Sequence, residues 1–163
     1  MACEIERKFL IRKELWQKPE QGIPIVQGYL HTAPELTIRL RIADGRGYLT
    51  LKGRSSGCSR SEYEYSIPRE EAEAMLREFP VSALIRKTRY LCPHAGHVWE
   101  VDVFEGDNAG LIVAEIELGS ETEPFERPPW LDREVTGDHR YSNSALAANP
   151  YRFWPEVSRR SDV

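Results

Sequence analysis

Along most of the chain apolar and polar residues alternate, the spacing that puts i, i+2 and i+4 on one face of a β-strand. Eight runs carry this pattern: 4–11, 25–31, 36–42, 47–53, 61–67, 85–92, 97–105 and 112–119. Ala43-Asp44-Gly45-Arg46 and Pro93-His94-Ala95-Gly96 have the chemistry of tight hairpins, and Ser55-Ser56-Gly57-Cys58-Ser59 that of a looser connection. A helical spacing replaces the alternation over 69–78. It is entered through Pro68, aligns Ala72, Met75, Leu76 and Phe79, and is stopped by Pro80. A second short helix is predicted over 142–148, and the proline-rich 124–130 reads as irregular. Few helices among many short strands predict a mainly β (α+β) domain over 1–154, its antiparallel sheet open or closed, followed by a flexible tail over 155–163.

The polar rows of these strands are unusual. The first run aligns Glu4, Glu6 and Lys8, the third Arg39 and Arg41, the fourth Tyr48, Thr50 and Lys52, the fifth Glu62 and Glu64. The sixth aligns Lys87 and Arg89, although Arg86 and Tyr90 blur its other face. The seventh aligns Glu100 and Asp102, and the eighth Glu115 and Glu117. A half-exposed antiparallel sheet also alternates charged with apolar residues. A solvated face, however, gains nothing from same-sign neighbours, which repel. Such pairs make sense where each meets an opposite charge, a metal or an anion. If the sheet closes with these rows inward, its interior is a charged tunnel.

Composition sharpens this picture. The 163 residues are 29% charged and 40% hydrophobic, the make-up of one globular domain. No apolar run is long enough for a membrane span, and the start of the chain lacks a hydrophobic signal core, so a cytoplasmic protein is expected. Cys3, Cys58 and Cys92 have no zinc or redox spacing and read as free thiols. His31, His94, His97 and His139 share no ligand spacing, and His94 and His97 read as solvated turn residues. No glycine-rich phosphate loop is present. With 22 basic and 26 acidic residues, the net charge of −4 excludes a protein that coats nucleic acid by bulk positive charge. The aligned rows hold six cations and eight carboxylates, so a polyanion would enter such a tunnel together with divalent cations. Carboxylate pairs suit Mg²⁺ or Mn²⁺, and Arg/Lys pairs suit phosphate oxygens. That combination is the chemistry of phosphoryl transfer.

The motif Glu4-Ile5-Glu6-Arg7-Lys8 opens a longer series. It continues through Thr37-Ile38-Arg39-Leu40-Arg41, Leu49-Thr50-Leu51-Lys52-Gly53, Glu62-Tyr63-Glu64, Arg86-Lys87-Thr88-Arg89-Tyr90, Trp99-Glu100-Val101-Asp102 and Ala114-Glu115-Ile116-Glu117. The chain resembles, over about 4–151, the compact bacterial members of the CYTH superfamily of triphosphate tunnel metalloenzymes. That resemblance implies an eight-stranded antiparallel closed β-barrel, with a few peripheral helices and a C-terminal plug helix near 143–148. It implies phosphate contacts from Lys8, Arg39, Arg41, Lys52, Lys87 and Arg89, with Arg133 adding one near the mouth. Glu4, Glu6, Glu115 and Glu117 would be ligands for one or two Mg²⁺ or Mn²⁺ ions. Glu62, Glu64, Glu100 and Asp102 would support a second cation or orient the attacking water, and Lys87 and Arg89 would stabilise the departing or retained phosphate.

The activity it implies is hydrolysis of the terminal phosphoanhydride of inorganic tripolyphosphate, with lesser action on nucleoside triphosphates. Alternatives within the resemblance are a class IV-like adenylate cyclase and a thiamine triphosphatase. A non-catalytic polyphosphate or nucleotide sensor is the alternative of another class. Neither nucleic acid nor membrane is expected as a partner, and the chain leaves homodimerisation open.

Overall fold

Every alternating run forms a strand, and the strands close on one another. The computed structural model describes residues 3–79 and 83–161. In chain order the strands are β1 (Cys3–Ile11), β2 (Ile23–Ala33), β3 (Leu36–Ala43), β4 (Arg46–Gly53), β5 (Ser59–Ile67), β6 (Ile85–His94), β7 (His97–Phe104), β8 (Ile112–Glu117) and β9 (Leu131–Glu134). Their order in the sheet is β5-β4-β3-β2-β6-β7-β8-β1-β9, and β1 also pairs with β5, so β1 to β8 form a ring. All pairings are antiparallel. The expected hairpin turns hold. Asp44 and Gly45, and Ala95 and Gly96, all have positive φ, the conformation whose twist matches the flanking strands.

β1 closes the ring. Along one edge Glu6 to Leu10 pair with β8, in the register Glu6↔Glu117, Lys8↔Glu115 and Leu10↔Val113. Along the other edge only Cys3, Glu4 and Ile5 pair with β5. Where β5 departs, β9 takes the same edge opposite Phe9 and Ile11. β9 was not anticipated: its four residues follow a proline-rich stretch and are too few to display a period.

One face of each strand looks into the ring and the other outward. On the outside, Phe9, Trp99, Val101, Ala114 and Ile116 form a buried cluster covered by Phe125 and Trp130. Trp99 meets both covering rings edge-on, at centroid distances of 5.6 and 5.8 Å. Helix α1 (Arg69–Glu78) lies outside β3 and β4 and buries Ala72 and Leu76. Its close approach requires glycine: a Cβ at Gly47 would stand 2.9 Å from that of Ala72. Pro80, expected to stop α1, lies outside the described residues.

Inside the ring the charged rows end in apolar residues. Ile85 follows the row of Lys87 and Arg89, Phe104 that of Glu100 and Asp102, and Val113 that of Glu115. Leu146 and Ala147 of α2 (Asn143–Ala148) pack on them, with Tyr141 and Trp154. The Ser142 hydroxyl caps α2 by accepting the Ala145 N–H at 3.3 Å. α2 is thus seated across one end of the ring, where the plug was expected. Beyond it, Pro155–Ser161 forms helix α3 where a flexible tail was expected. Trp154, 2% exposed, anchors the start of that segment, and Val157 packs against the same cluster. No helix among the described residues is long and apolar enough to cross a membrane.

Candidate active site inside the strand ring

The inward rows surround a cavity of about 750 Å³. Glu4, Glu6, Lys8, Arg39, Arg41, Lys52, Glu62, Glu64, Lys87, Arg89, Glu100, Glu115 and Glu117 all line it. Two predicted residues do not. Asp102 lies beneath the surface, 1% exposed, under Lys87 and Arg89. Arg133 is a correction: it stands exposed on β9, outside the lining, with Nη2 3.4 Å from the Tyr141 hydroxyl. The reason is topological, since β9 adds to an edge of β1 and is no member of the ring.

On the β6–β7 wall the charges neutralise one another. Lys87 Nζ is 2.7 Å from Asp102 Oδ2. Arg89 donates through Nε to Asp102 Oδ1 at 2.8 Å, through Nη2 to Oδ2 at 2.9 Å, and through Nη1 to Glu100 at 2.7 Å. Burial alone would raise the pKa of Asp102, but Lys87 and Arg89 outweigh it and hold the carboxyl well below its usual range. Burial is also the largest influence on Lys87, whose pKa it pushes down to about 7 despite Asp102, with Arg89 and Arg41 adding to the drop. Glu100 is raised, chiefly by burial.

The seam between β1 and β5 is different. Lys52 Nζ lies 2.9 Å from Glu4 and 3.4 Å from Glu62. Glu4 hydrogen-bonds with both Glu62 and Glu6, contacts that carboxylates make only by sharing protons. Burial opposes ionisation of Glu4, yet these hydrogen bonds and Lys52 hold its pKa far down. The cost falls on its neighbours. Glu62 rises to about 7 through its hydrogen bond with Glu4 and then burial. Glu6 rises well above the carboxylate range through burial and the charges of Glu115 and Glu4. Lys8, 3.7 Å from Glu115, is desolvated, but Glu115 and Glu6 keep its pKa above the usual value.

Arg39 and Arg41 complete the lining from β3. Arg39 Nη2 contacts Thr50 at 3.3 Å and Glu64 at 3.4 Å, and Thr50 donates to Glu64 at 2.8 Å. Arg41 stands apart. Its Nε donates to Gln27 Oε1 at 2.8 Å, and among the described residues it has no carboxylate partner. Burial, then the charges of Arg39 and Arg89, lower its pKa to about 10. A desolvated cation without a counter-ion is costly unless an anion joins it.

Sequence reasoning gave no role to the neutral partners of these cations. Gln27 is fully buried and Asn143, at the start of α2, lines the cavity. Gln27 shares a strand face with Tyr29, which also lines the cavity, so alternation alone could have placed it. His97 is likewise a correction: it is half-buried, its Nε2 2.6 Å from Glu123, since the 119–131 segment folds back over β7. The cysteines are free, as expected.

The crowded carboxylates are hard oxygen donors of the kind that suit a divalent cation, which would relieve the repulsion at Glu6. Among the described residues no three of them converge into a preformed metal cage. A cation bound here would complete its coordination with ligand oxygens, the usual arrangement of Mg²⁺ with phosphates.

Known proteins match this architecture. An inorganic triphosphatase of Acetivibrio thermocellus is 44% identical, covering 96% of this chain and all 100% of its own. An inorganic triphosphatase of Nitrosomonas europaea is 40% identical over 88% of this chain and 96% of its own. A crystal structure of an inorganic triphosphatase superposes with a TM-score of 0.64 at 37% identity, covering 88% of this chain and 97% of that one. The family model described as the CYTH domain matches residues 2–147, and with that match this chain belongs to the CYTH family.

Proposed function

We propose that this protein is a metal-dependent inorganic triphosphatase that hydrolyses the terminal phosphoanhydride of tripolyphosphate. The observation that carries the reading is Arg41, a half-buried cation lining the cavity with no carboxylate partner among the described residues, while carboxylates elsewhere in the cavity crowd one another. Such a site is short of both an anion and a cation, and a metal–polyphosphate supplies both. The relatives at 40 and 44% identity support it.

In this reading Arg41, Arg39 and Lys52 grip the phosphate chain, with Lys8, Lys87 and Arg89 along it. Glu4, Glu6, Glu115 and Glu117 hold Mg²⁺ or Mn²⁺, with Glu62 beside them. The cation, when bound, neutralises charge on the phosphate oxygens. Asp102, out of reach of the cavity, positions Lys87 and Arg89. Glu62, Glu64 and Glu100, which line the cavity outside that ligand set, would orient water in line with the terminal phosphorus and take up its proton. The new P–O bond forms as the anhydride breaks, releasing orthophosphate and pyrophosphate. Arg133 is left out of the set because of its place outside the cavity. A cytoplasmic location, without nucleic acid or membrane as partner, belongs to the same proposal.

A phosphate-release panel tests it, with tripolyphosphate, pyrophosphate, ATP and thiamine triphosphate, each with Mg²⁺ and Mn²⁺. Tripolyphosphate is expected to turn over fastest. Cyclic AMP and pyrophosphate from ATP would instead mark a cyclase, and tight binding without release a sensor.

A further inference from the structure

Arg41 and Lys87 are joined by two neutral amides. Arg41 Nε donates to Gln27 Oε1 at 2.8 Å. Gln27 Nε2 donates to the Tyr29 hydroxyl at 3.0 Å and to Asn143 Oδ1 at 3.2 Å. Lys87 Nζ donates to that same Asn143 oxygen at 3.0 Å. Arginine and lysine can only donate, so the cations at the two ends fix which way both amides point. Gln27 is 0% exposed, so water does not compete for these bonds.

The choice of a neutral group is informative. Lys8, Arg39, Lys52, Lys87 and Arg89 are each held by a carboxylate, which cancels their charge. Gln27 grips Arg41 as firmly but leaves it fully cationic. It also engages only Nε. The two terminal nitrogens, without protein acceptors among the described residues, form the fork that meets two phosphate oxygens at once. Asn143 is the first residue of α2, so the apolar seating of Leu146 and Ala147 fixes where this bracket stands.

We propose that Gln27 and Asn143 are positioning residues: an amide bracket that aims the Arg41 fork at the phosphate chain without neutralising it, and ties it to Lys87. This rests on the reading of the cavity as a triphosphate site. Neither residue reaches the phosphate in this scheme; both act through the cations.

A double-mutant cycle decides it, on the full chain. Wild type, Gln27→Met, Arg41→Ala and the double variant are titrated with imidotriphosphate, the nitrogen-bridged analogue, in Mg²⁺, alongside KM and kcat for tripolyphosphate. Gln27→Met is expected to weaken binding and raise KM about tenfold, the effect of one hydrogen bond to a charged group, with kcat within about threefold. In the Arg41→Ala background the same change is expected to cost less than about twofold, because the bracket then has nothing to aim. Gln27→Glu keeps the shape but places a carboxylate on Arg41, so it is expected to bind worse than Gln27→Met. Should Gln27→Met fail to fold, Gln27→Asn, which stays polar but is one methylene too short to reach Arg41 Nε, takes its place in the cycle. Equal losses in both backgrounds, or Gln27→Glu binding better than Gln27→Met, would overturn the bracket while leaving the triphosphatase reading intact. A wild type that does not bind the analogue would overturn both.

Discussion

The β6–β7 wall and the β1–β5 seam carry the same kinds of side chain in the same alternating rows, yet they are electrostatically unlike. On the wall, Asp102 accepts from both Lys87 and Arg89, and Glu100 takes the remaining arm of Arg89. At the seam, Glu4 leans on Glu62 and Glu6, and Lys52, with Lys8 and Arg39 further off, offsets them only in part. The wall is complete within the chain. The seam, like Arg41 across the cavity, is left with charge that the described residues do not pair off. Buried charge that the protein pairs with itself is architecture, and buried charge it leaves unpaired marks what the site is built to receive.

This contrast can be broken from either side. The largest effect is expected at the wall. Asp102→Asn leaves two desolvated cations short of their shared anion, and stability should fall by roughly 3–5 kcal/mol, read by denaturant unfolding. Arg41→Ala should act in the opposite sense. It should weaken tripolyphosphate binding about a hundredfold, as loss of a desolvated charged partner does, while the melting temperature holds or rises. A clear fall in melting temperature would show that Arg41 is paired after all. At the seam, Glu6→Gln replaces a carboxyl group whose ionisation burial, Glu115 and Glu4 all oppose. Stability should stay level or improve by about 1 kcal/mol, while the metal concentration for half-maximal turnover rises.

The smallest effect is one of pH. Glu62 titrates near 7 because Glu4 shares a proton with it and because it is desolvated. Below that pH a metal must displace the proton; above it the carboxylate is already charged. Mn²⁺ binding should therefore tighten between pH 6 and 8, with proton release on binding larger at the lower pH. Calorimetry in two buffers of different ionisation enthalpy measures both. Equal affinity and no proton release at either pH would remove Glu62 from the metal's surroundings.

How much of this was legible depended on charge and length. Same-sign pairs such as Arg39/Arg41 and Glu115/Glu117 announced both the strands and their inward face, because no solvated surface benefits from them. Even the ambiguous run around Lys87 resolved correctly, since Ile85 and Lys87 share the buried face. Gln27 and Asn143 sent no such signal: an uncharged amide on a strand or at a helix start is common on any surface. β9 was too short to show a period, and α3 looked like a tail because its anchor, Trp154, packs on residues distant in sequence. The misreading of Arg133 follows from the same blindness. Without β9, nothing told that its residue stood outside the ring.

The way β1 closes that ring has a consequence for how the chain folds. β2 to β5 join through hairpins between sequence neighbours, and so do β6 to β8. β1 instead waits for β8, a partner on the order of a hundred residues away, the kind of non-local pairing that slows folding most. Its register with β8 is also what brings Glu6 opposite Glu117 and Lys8 opposite Glu115. The pairing expected to form last is then the one that assembles the carboxylates proposed to hold the metal, and a divalent cation present during refolding should favour the closed ring.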